Sequence, residues 1–208
     1  MIRPLAAAFA TTLTLALSAP AAGFAQDAAR AAAEAAADLG PAVGARSPVT
    51  VFTDASGAQR SLAELSGRNG MVIYFNRSLD WCPICLRQAL EVNAAAEQFD
   101  AAGWRAVVLT YDDAETLARV ADRRIIDLAL IPDPDIEVID AFGVRDPIYA
   151  DPDHMAHGVP YPIAVAIRPD GTIAAKFWHE AGLGARRGYA TRVTVADVLG
   201  ALNQGARP

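Results

Sequence analysis

Two adjacent stretches, Met71–Phe75 (MVIYF) and Asp80–Cys85 (DWCPIC), decide the fold of this chain. The first is a continuous apolar run with the composition of a buried central strand. From Pro83 to about residue 101 the apolar residues instead recur with a helical period. The two cysteines of the chain therefore stand where a buried strand gives way to a helix.

The sequence on either side of this junction has the pattern of an α/β domain. Strands are predicted over residues 49–52, 71–75, 104–110, 127–131, 163–167 and 172–178. Helices are predicted over residues 61–65, 83–101, 113–124 and 136–142, and from Thr194 onward. The alternation predicts a parallel sheet covered by helices on both faces, and Pro169-Asp170-Gly171 predicts an antiparallel hairpin at its edge. In the helix after the cysteines we expect Leu86, Leu90 and Phe99 to form the buried face.

The position of the cysteines at a helix start predicts their chemistry. Unsatisfied backbone N–H groups and the positive end of the helix dipole favour the thiolate of Cys82 over its thiol. Pro83 suits the first helical turn because no backbone hydrogen bond is needed there, and Cys85 follows one turn later. We expect the pair to close a small disulfide, with Cys82 as the attacking thiol and Cys85 as the resolving thiol.

Composition excludes several other classes of protein. The chain has 208 residues, 53% of them hydrophobic, a formal net charge of -6 and two cysteines. Two cysteines cannot support a disulfide-rich miniprotein, and an acidic chain offers no positive field to attract nucleic acid. The hydrophobic content is too high for a disordered chain.

The N-terminal residues predict export. Residues 1–25 combine Arg3, an uncharged apolar run from Leu5 to Leu17 and small residues before a cleavage point, as in a secretory signal peptide. Residues 26–46 are predicted to be an Ala-rich helical segment or a linker, and 47–204 the folded domain. We expect a periplasmic or secreted protein with no membrane span in its mature form. In an oxidising compartment a cysteine pair is oxidised, metal-bound or maintained by an external reductant.

The run Tyr74–Cys85 (YFNRSLDWCPIC) resembles the peroxiredoxin-like branch of the alkyl hydroperoxide reductase and thiol-specific antioxidant family, a group of thioredoxin-fold redox proteins. Similar stretches are DASG at 54–57, SLAEL at 61–65, LTYD at 109–112, IPDP at 131–134 and AFG at 141–143. The resemblance implies a three-layer thioredoxin-like fold, with a central mixed sheet between helices, for a redoxin domain over residues 47–204. It implies redox chemistry by the cysteines, and we expect neither a cofactor nor a metal.

Thioredoxin-fold proteins also carry a cis-proline that faces the cysteine pair and binds the substrate backbone. The resemblance places it at Pro162, with Pro160 as a competitor in register and an ordinary trans-proline ending a loop as the simpler interpretation. Trp81, Pro83, Tyr161 and Pro162 are then the expected substrate-binding residues.

Two redox functions remain open. Typical peroxiredoxins place a Thr three residues and a Pro seven residues before the reactive cysteine. Counting back from Cys82 gives Leu79 and Phe75, and counting back from Cys85 gives Cys82 and Ser78. We therefore predict an exported thiol–disulfide oxidoreductase acting on protein disulfides, with thiol-dependent reduction of hydroperoxides as the alternative. Either activity requires an external thiol as electron donor or acceptor.

Four polar residues have competing interpretations. Arg77 either stabilises the Cys82 thiolate or guides a peroxide, or it is a solvated or carboxylate-paired arginine, with Asp80 as a candidate partner. Asp80 is either close enough to affect the site, where its charge would raise the pKa of the Cys82 thiol, or a solvated charge at the helix start. His154 and His157 lie in the loop before the final hairpin. With the two cysteines they could bind zinc or copper, a less favoured third function.

Overall fold

The computed structural model describes residues 39–205 of the chain. Its seven strands are β1 (Val51–Thr53), β2 (Gln59–Ser61), β3 (Gly70–Phe75), β4 (Trp104–Thr110), β5 (Ala129–Pro132), β6 (Ile163–Ile167) and β7 (Ile173–Trp178). Its six α-helices are α1 (Leu62–Leu65), α2 (Pro83–Ala94), α3 (Ala96–Ala101), α4 (Ala114–Arg124), α5 (Glu137–Phe142) and α6 (Val195–Gly205). The predicted signal peptide over 1–25 and residues 26–38 of the predicted Ala-rich segment lie outside the described residues.

A five-stranded mixed sheet in the order β5-β4-β3-β6-β7 forms the centre of the domain. Strands β3, β4 and β5 are parallel, whereas β6 runs antiparallel to β3 and pairs with β7 in the predicted hairpin. Ile73 of β3 pairs with Val107 of β4 on one side and with Val165 of β6 on the other. This topology confirms the predicted thioredoxin-like α/β fold.

Alternating side chains divide the core between the two faces of the sheet. On one face Val72 and Tyr74 of β3 pack with both cysteines and with apolar residues of α2, α3, α4 and α6. On the other face Ile73 and Phe75 pack with residues of β1, α1 and α5. Every residue of β3 is buried, as expected for a strand covered on both sides. The cysteine pair therefore belongs to one defined face of the domain.

The long helix predicted after the cysteines is wrong in two respects. The chain leaves helical geometry at Ala95, so two helices, α2 and α3, replace one. The buried residues of α2 are Cys85, Gln88, Ala89 and Val92. Leu86 and Leu90 are only partly buried against this core, contrary to the predicted face. The reason is that Cys85 and the polar Gln88 turn inward, and the break at Ala95 separates the phase of Phe99 from that of α2.

Two short 3₁₀ helices, Glu180–Gly182 and Gly188–Ala190, connect β7 to α6. They pack against each other so closely that a Cβ on Gly188 would lie 2.8 Å from the Cα of Gly182 and overlap its backbone. This connection, residues 179–194, is here called the C-terminal loop. Within residues 39–205, no helix is both long and apolar enough to span a membrane.

Candidate active site

Cys82 and Cys85 form a disulfide at the start of α2, with their Cα atoms 5.3 Å apart. Cys82 is the N-cap residue and Pro83 occupies the first turn, as predicted. Cys82 retains 4% exposure, whereas Cys85 is fully buried. Cys82 is therefore the more accessible residue of the pair.

A buried carboxylate fixes the loop that leads into the cysteines. One oxygen of Asp112 accepts hydrogen bonds from the Leu79 backbone N–H at 2.7 Å and from the Thr110 hydroxyl at 2.9 Å. The Ser78 hydroxyl in turn accepts from the backbone N–H groups of Asp80 and Trp81, at 3.0 and 3.2 Å. Burial raises the pKa of Asp112, and these hydrogen bonds oppose that shift. Asp112 was not among the site residues predicted from the sequence.

Arg192 of the C-terminal loop is in direct contact with the redox pair. Its Nη2 lies 3.1 Å from the Sγ of Cys85, and its Nη1 donates to Gln88 Oε1 at 2.5 Å and to Asn76 Oδ1. Its Nε donates to the Tyr189 carbonyl at 3.2 Å. Burial, aided by the positive charges of Arg77 and Arg87, lowers the pKa of Arg192 to about 10, so it remains protonated at neutral pH. A cation is thus held against the buried sulfur of the pair.

Sequence reasoning missed Arg192 because it is separated from Cys85 by 107 positions. Its surroundings contain no motif, and neighbouring arginines lie on the surface. The sequence did contain one signal of a buried polar partner. Asn76 directly follows the buried strand β3, and Gln88 lies on the inward face of α2, so two polar side chains occupy buried positions.

Arg77 is enclosed by three aromatic side chains. Its guanidinium carbon lies 5.0 Å from the ring centre of Trp81, 4.6 Å from that of Tyr149 and 4.0 Å from that of Tyr189. The residue is 4% exposed. We call these three rings the aromatic cage. The candidate ion pair between Arg77 and Asp80 does not form, because Asp80 pairs with Arg119 at 3.1 Å instead.

The four predicted substrate-binding residues fall into two groups. Trp81 and Pro83 are exposed beside Cys82, and the Trp81 indole donates to the Tyr111 hydroxyl at 2.8 Å. Tyr161 and Pro162 are buried, and Tyr161 packs in the cluster on the opposite face of the sheet, its hydroxyl donating to the His179 carbonyl. The prediction of a cis-proline is wrong, because every peptide bond within residues 39–205 is trans. Pro162 is a trans-proline that immediately precedes β6.

The histidines of the 144–162 connection do not join the cysteines. The Nδ1 of His154 accepts a hydrogen bond from Ala156 N–H at 3.0 Å, and its ring packs on Tyr149. In the part of the chain that the structure describes, no three His, Cys, Asp or Glu side chains come together as a metal site. The zinc or copper alternative therefore finds no support in this arrangement.

The geometry favours one direction of disulfide cleavage. A thiolate attacking Cys82 expels Cys85 as a thiolate, and the guanidinium of Arg192 already lies where that charge develops. A leaving thiolate stabilised by a cation departs faster than an unassisted one. The site is therefore suited to accept electrons at Cys82 and hold negative charge at Cys85.

Comparison with known proteins identifies relatives of this chain. A protein of Mycobacterium tuberculosis named as a peroxiredoxin, Rv2521, is 33% identical over 100 residues, which cover 48% of this chain and 62% of that protein. Peroxiredoxin Bcp of Escherichia coli K12 is 26% identical over 97 residues, covering 47% of this chain and 61% of Bcp. The matched stretches thus span about three fifths of these relatives.

Solved structures of similar fold include peroxidoxin BcpB of M. tuberculosis, with a TM-score of 0.61 at 18% identity over 82% of this chain and 99% of that one. Peroxiredoxin Q of Xanthomonas campestris has a TM-score of 0.59 at 22% identity, covering 82% and 98% of the two chains. At these identities the likeness concerns the fold. The model of the AhpC/TSA family matches residues 43–176, well over half of the sequence. The chain therefore belongs to the AhpC/TSA family.

Proposed function

We propose that the protein is a thiol-dependent peroxidase that cycles through the Cys82–Cys85 disulfide. The observation that carries this proposal is a closed redox pair at a helix start, with a cation at its buried sulfur, in a chain of the AhpC/TSA family. The relatives named as peroxiredoxins support peroxide reduction over exchange with protein disulfides.

In the proposed cycle the Cys82 thiolate attacks the terminal oxygen of a hydroperoxide. The O–O bond breaks, the alcohol leaves with a proton, and Cys82 becomes a sulfenic acid. The Cys85 thiolate then attacks the Cys82 sulfur, forms the disulfide and releases water after protonation. Two equivalents of an external thiol restore the dithiol and leave as their own disulfide.

The two cysteines have different means of stabilising charge. The helix N-terminus supports a thiolate at Cys82, and Arg192 supports one at Cys85. Cys82 is the cysteine with access to solvent, which suits it to meet the peroxide. The guanidinium of Arg192 favours the thiolate of Cys85 next to the sulfenic acid, which suits Cys85 to resolve that intermediate.

The positions of Thr and Pro in typical peroxiredoxins are occupied here by other residues, so the peroxide must be positioned differently. Arg77, which lies over the ring of Trp81, and the backbone of the loop held by Asp112 are candidate polar groups for this role. We expect peroxide reduction that is slower than in members with the usual motif.

Thiol–disulfide exchange with a protein substrate is the second candidate. The observation that favours it is the exposure of Trp81 and Pro83 next to Cys82, which offers a flat surface to a macromolecule. The same sulfur chemistry applies, with a substrate disulfide in place of the O–O bond.

The two candidates can be separated on one sample. We expect the reduced protein to consume hydrogen peroxide or tert-butyl hydroperoxide with dithiothreitol as donor, and Cys82→Ser to abolish this consumption. In Cys85→Ser, peroxide should produce a sulfenic acid at Cys82 that reacts with dimedone. Reduction of insulin disulfides without peroxide consumption would replace the first candidate by the second.

We also propose that the protein is exported, on the basis of the predicted signal peptide over residues 1–25. Expression in a Gram-negative host should yield a periplasmic product whose N-terminus is Gln26, determined by mass spectrometry of the intact protein. A cytoplasmic product that retains Met1 would contradict export.

A further inference from the structure

Arg77 is a buried cation for which the described residues provide no ion pair. Within residues 39–205 its guanidinium has no carboxylate within ion-pair distance, and its buried Nε has no hydrogen-bond partner. The charge of Arg77 partly offsets the rise that burial causes in the pKa of Asp146, whose carboxyl accepts a hydrogen bond from the Ile148 N–H. The aromatic cage holds the cation in place without neutralising it.

A second cation adds to the positive potential at this position. Arg77 and Arg192 are close enough that the charge of Arg77 lowers the pKa of Arg192. Arg192 already donates through all three of its nitrogens, to Tyr189, Asn76, Gln88 and Cys85. Arg77 is therefore the member of the pair with donors left for a ligand.

The location of Arg77 ties such a ligand to the redox pair. Trp81, one wall of the aromatic cage, immediately precedes Cys82 and is 39% exposed. Tyr189, another wall, belongs to the same C-terminal loop as Arg192. The aromatic cage thus adjoins the redox pair through Trp81, and Cys82 is the less buried of the two cysteines.

We propose that Arg77 binds the carboxylate of a small thiol that reduces the Cys82–Cys85 disulfide. A planar guanidinium with free N–H groups suits a carboxylate, and in this partly dehydrated cage a charge-assisted hydrogen bond is strong. A thiol anchored there by its carboxylate places its sulfur near Cys82. This assignment rests on the proposed function in requiring an external thiol donor, but its test needs no peroxide.

The reduction balances in two steps. The bound thiolate attacks the Cys82 sulfur, a new mixed disulfide forms, the Cys82–Cys85 bond breaks, and its electron pair goes to Cys85 beside Arg192. A second thiolate then attacks the sulfur of the bound thiol. This releases the small-molecule disulfide and leaves Cys82 as a thiolate, so two thiols are oxidised and one protein disulfide is reduced.

The test compares 3-mercaptopropionate with its methyl ester, which present the same reacting group with and without a carboxylate. Reduction of the oxidised protein is followed by mass spectrometry after alkylation, and rates are expressed per concentration of thiolate. The chain carries a net charge of -6, so its overall field disfavours the anion and any preference for it must come from the site. We expect the acid to react about tenfold faster or more than the ester, the effect of one charge-assisted hydrogen bond.

Variants assign that preference to one residue. Arg77→Met, which keeps a long apolar stem among the rings, should bring the acid-to-ester rate ratio to about one. Arg87→Met is the matched control, because it removes the same charge from an exposed arginine outside the cage that also affects Arg192. Its ratio should equal that of the wild type. Equal loss of the preference in both variants would assign it to the general field and overturn the proposal.

A measurement on the wild type decides the question even if Arg77→Met does not fold. Propionate should compete with 3-mercaptopropionate and slow its reaction, while leaving the reaction of the ester unchanged. Equal rates for acid and ester, or no inhibition by propionate, would show that Arg77 is a structural cation held by the cage. Failure of peroxide consumption, by contrast, would affect the proposed function alone.

Discussion

Arg192 provides the strongest prediction at the scale of a single residue. Replacing it by Met removes the cation 3.1 Å from Cys85 and should raise the pKa of that thiol. In the Cys82→Ser background, the pH dependence of alkylation of Cys85 should therefore shift upward by about one unit or more, the size of effect that a nearby opposite charge produces. Thiolate absorbance at 240 nm gives an independent measurement.

Arg192→Lys is the control for this variant. It keeps the positive charge but not the hydrogen bonds from three guanidinium nitrogens. The pKa of Cys85 should therefore lie between the values in the wild type and in Arg192→Met. A thiol pKa that is the same in the wild type, Met and Lys proteins would mean that Arg192 only fills space against Gln88 and Asn76.

Asp112 governs the loop before the cysteines. Asp112→Ala leaves the buried Leu79 N–H and Thr110 hydroxyl without an acceptor, which should lower the free energy of unfolding by about 1–3 kcal/mol. Asp112→Asn retains an oxygen acceptor and should lose less. Urea unfolding at neutral pH measures both, and an Ala variant as stable as the wild type would show that water replaces the carboxylate.

At the scale of elements, the close contact of the two 3₁₀ helices positions the residues at the cysteines. Gly188→Ala would place a Cβ against the Gly182 backbone, so the C-terminal loop must move, and Tyr189 and Arg192 with it. We expect a domain that still folds, because the sheet and its main helices do not depend on this contact. In Gly188→Ala the pKa of the Cys85 thiol should be raised, as in Arg192→Met.

Gly200→Ala is the matched control, since its added Cβ meets no atom within 4 Å apart from its chain neighbours and the backbone of its own helix. This glycine lies within α6, where alanine is favoured by about 0.5–1 kcal/mol, so thermal stability should rise slightly and the thiol chemistry should not change. If Gly188→Ala leaves the Cys85 pKa at the wild-type value, the loop does not hold Arg192 through this contact.

Some strands and helices could be predicted from the sequence, and others could not. Strand β3 was predictable because its residues are buried on both faces and form an unbroken apolar run. The face of α2 was not, because its inward residues include Gln88, which is buried to meet a residue over a hundred positions away. The aromatic cage likewise combines Trp81 with Tyr149 and Tyr189, a meeting that only the folded chain produces.

At the scale of the whole molecule, the redox state should change stability. A disulfide across so few residues restricts the unfolded chain by only about 2 kcal/mol in the loop-entropy description. Reduction also places negative charge at Cys85, where Arg192 stabilises it. We therefore expect the free energy of unfolding of the reduced protein to be no more than about 2 kcal/mol lower than that of the oxidised protein. Paired urea titrations with and without dithiothreitol measure the difference, and a much larger loss would contradict the stabilising role of Arg192.

The carboxyl groups divide into two sets with opposite effects on the pH dependence of stability. Burial raises the pKa values of Asp112, Asp133 and Asp146, so their contribution is present at acidic pH and is lost as the pH rises through their folded-state values. Hydrogen bonds lower the pKa values of surface carboxyls such as Asp113 and Asp140, whose contribution is lost on acidification.

The opposed contributions predict a stability maximum at mildly acidic pH. From about pH 5 upward the surface set is ionised in both the folded and the unfolded state and contributes a constant amount, while the three buried carboxyls lose their protons and reduce the free energy of unfolding. Exposed ion pairs are worth little, so the buried set should dominate the slope. Urea unfolding of the oxidised protein between pH 3 and 8 should therefore show a decline above the maximum, and Asp112→Asn should make that decline shallower. Stability that rises steadily from pH 5 to 7 would mean that the buried carboxyls ionise without cost, through water that reaches them in solution.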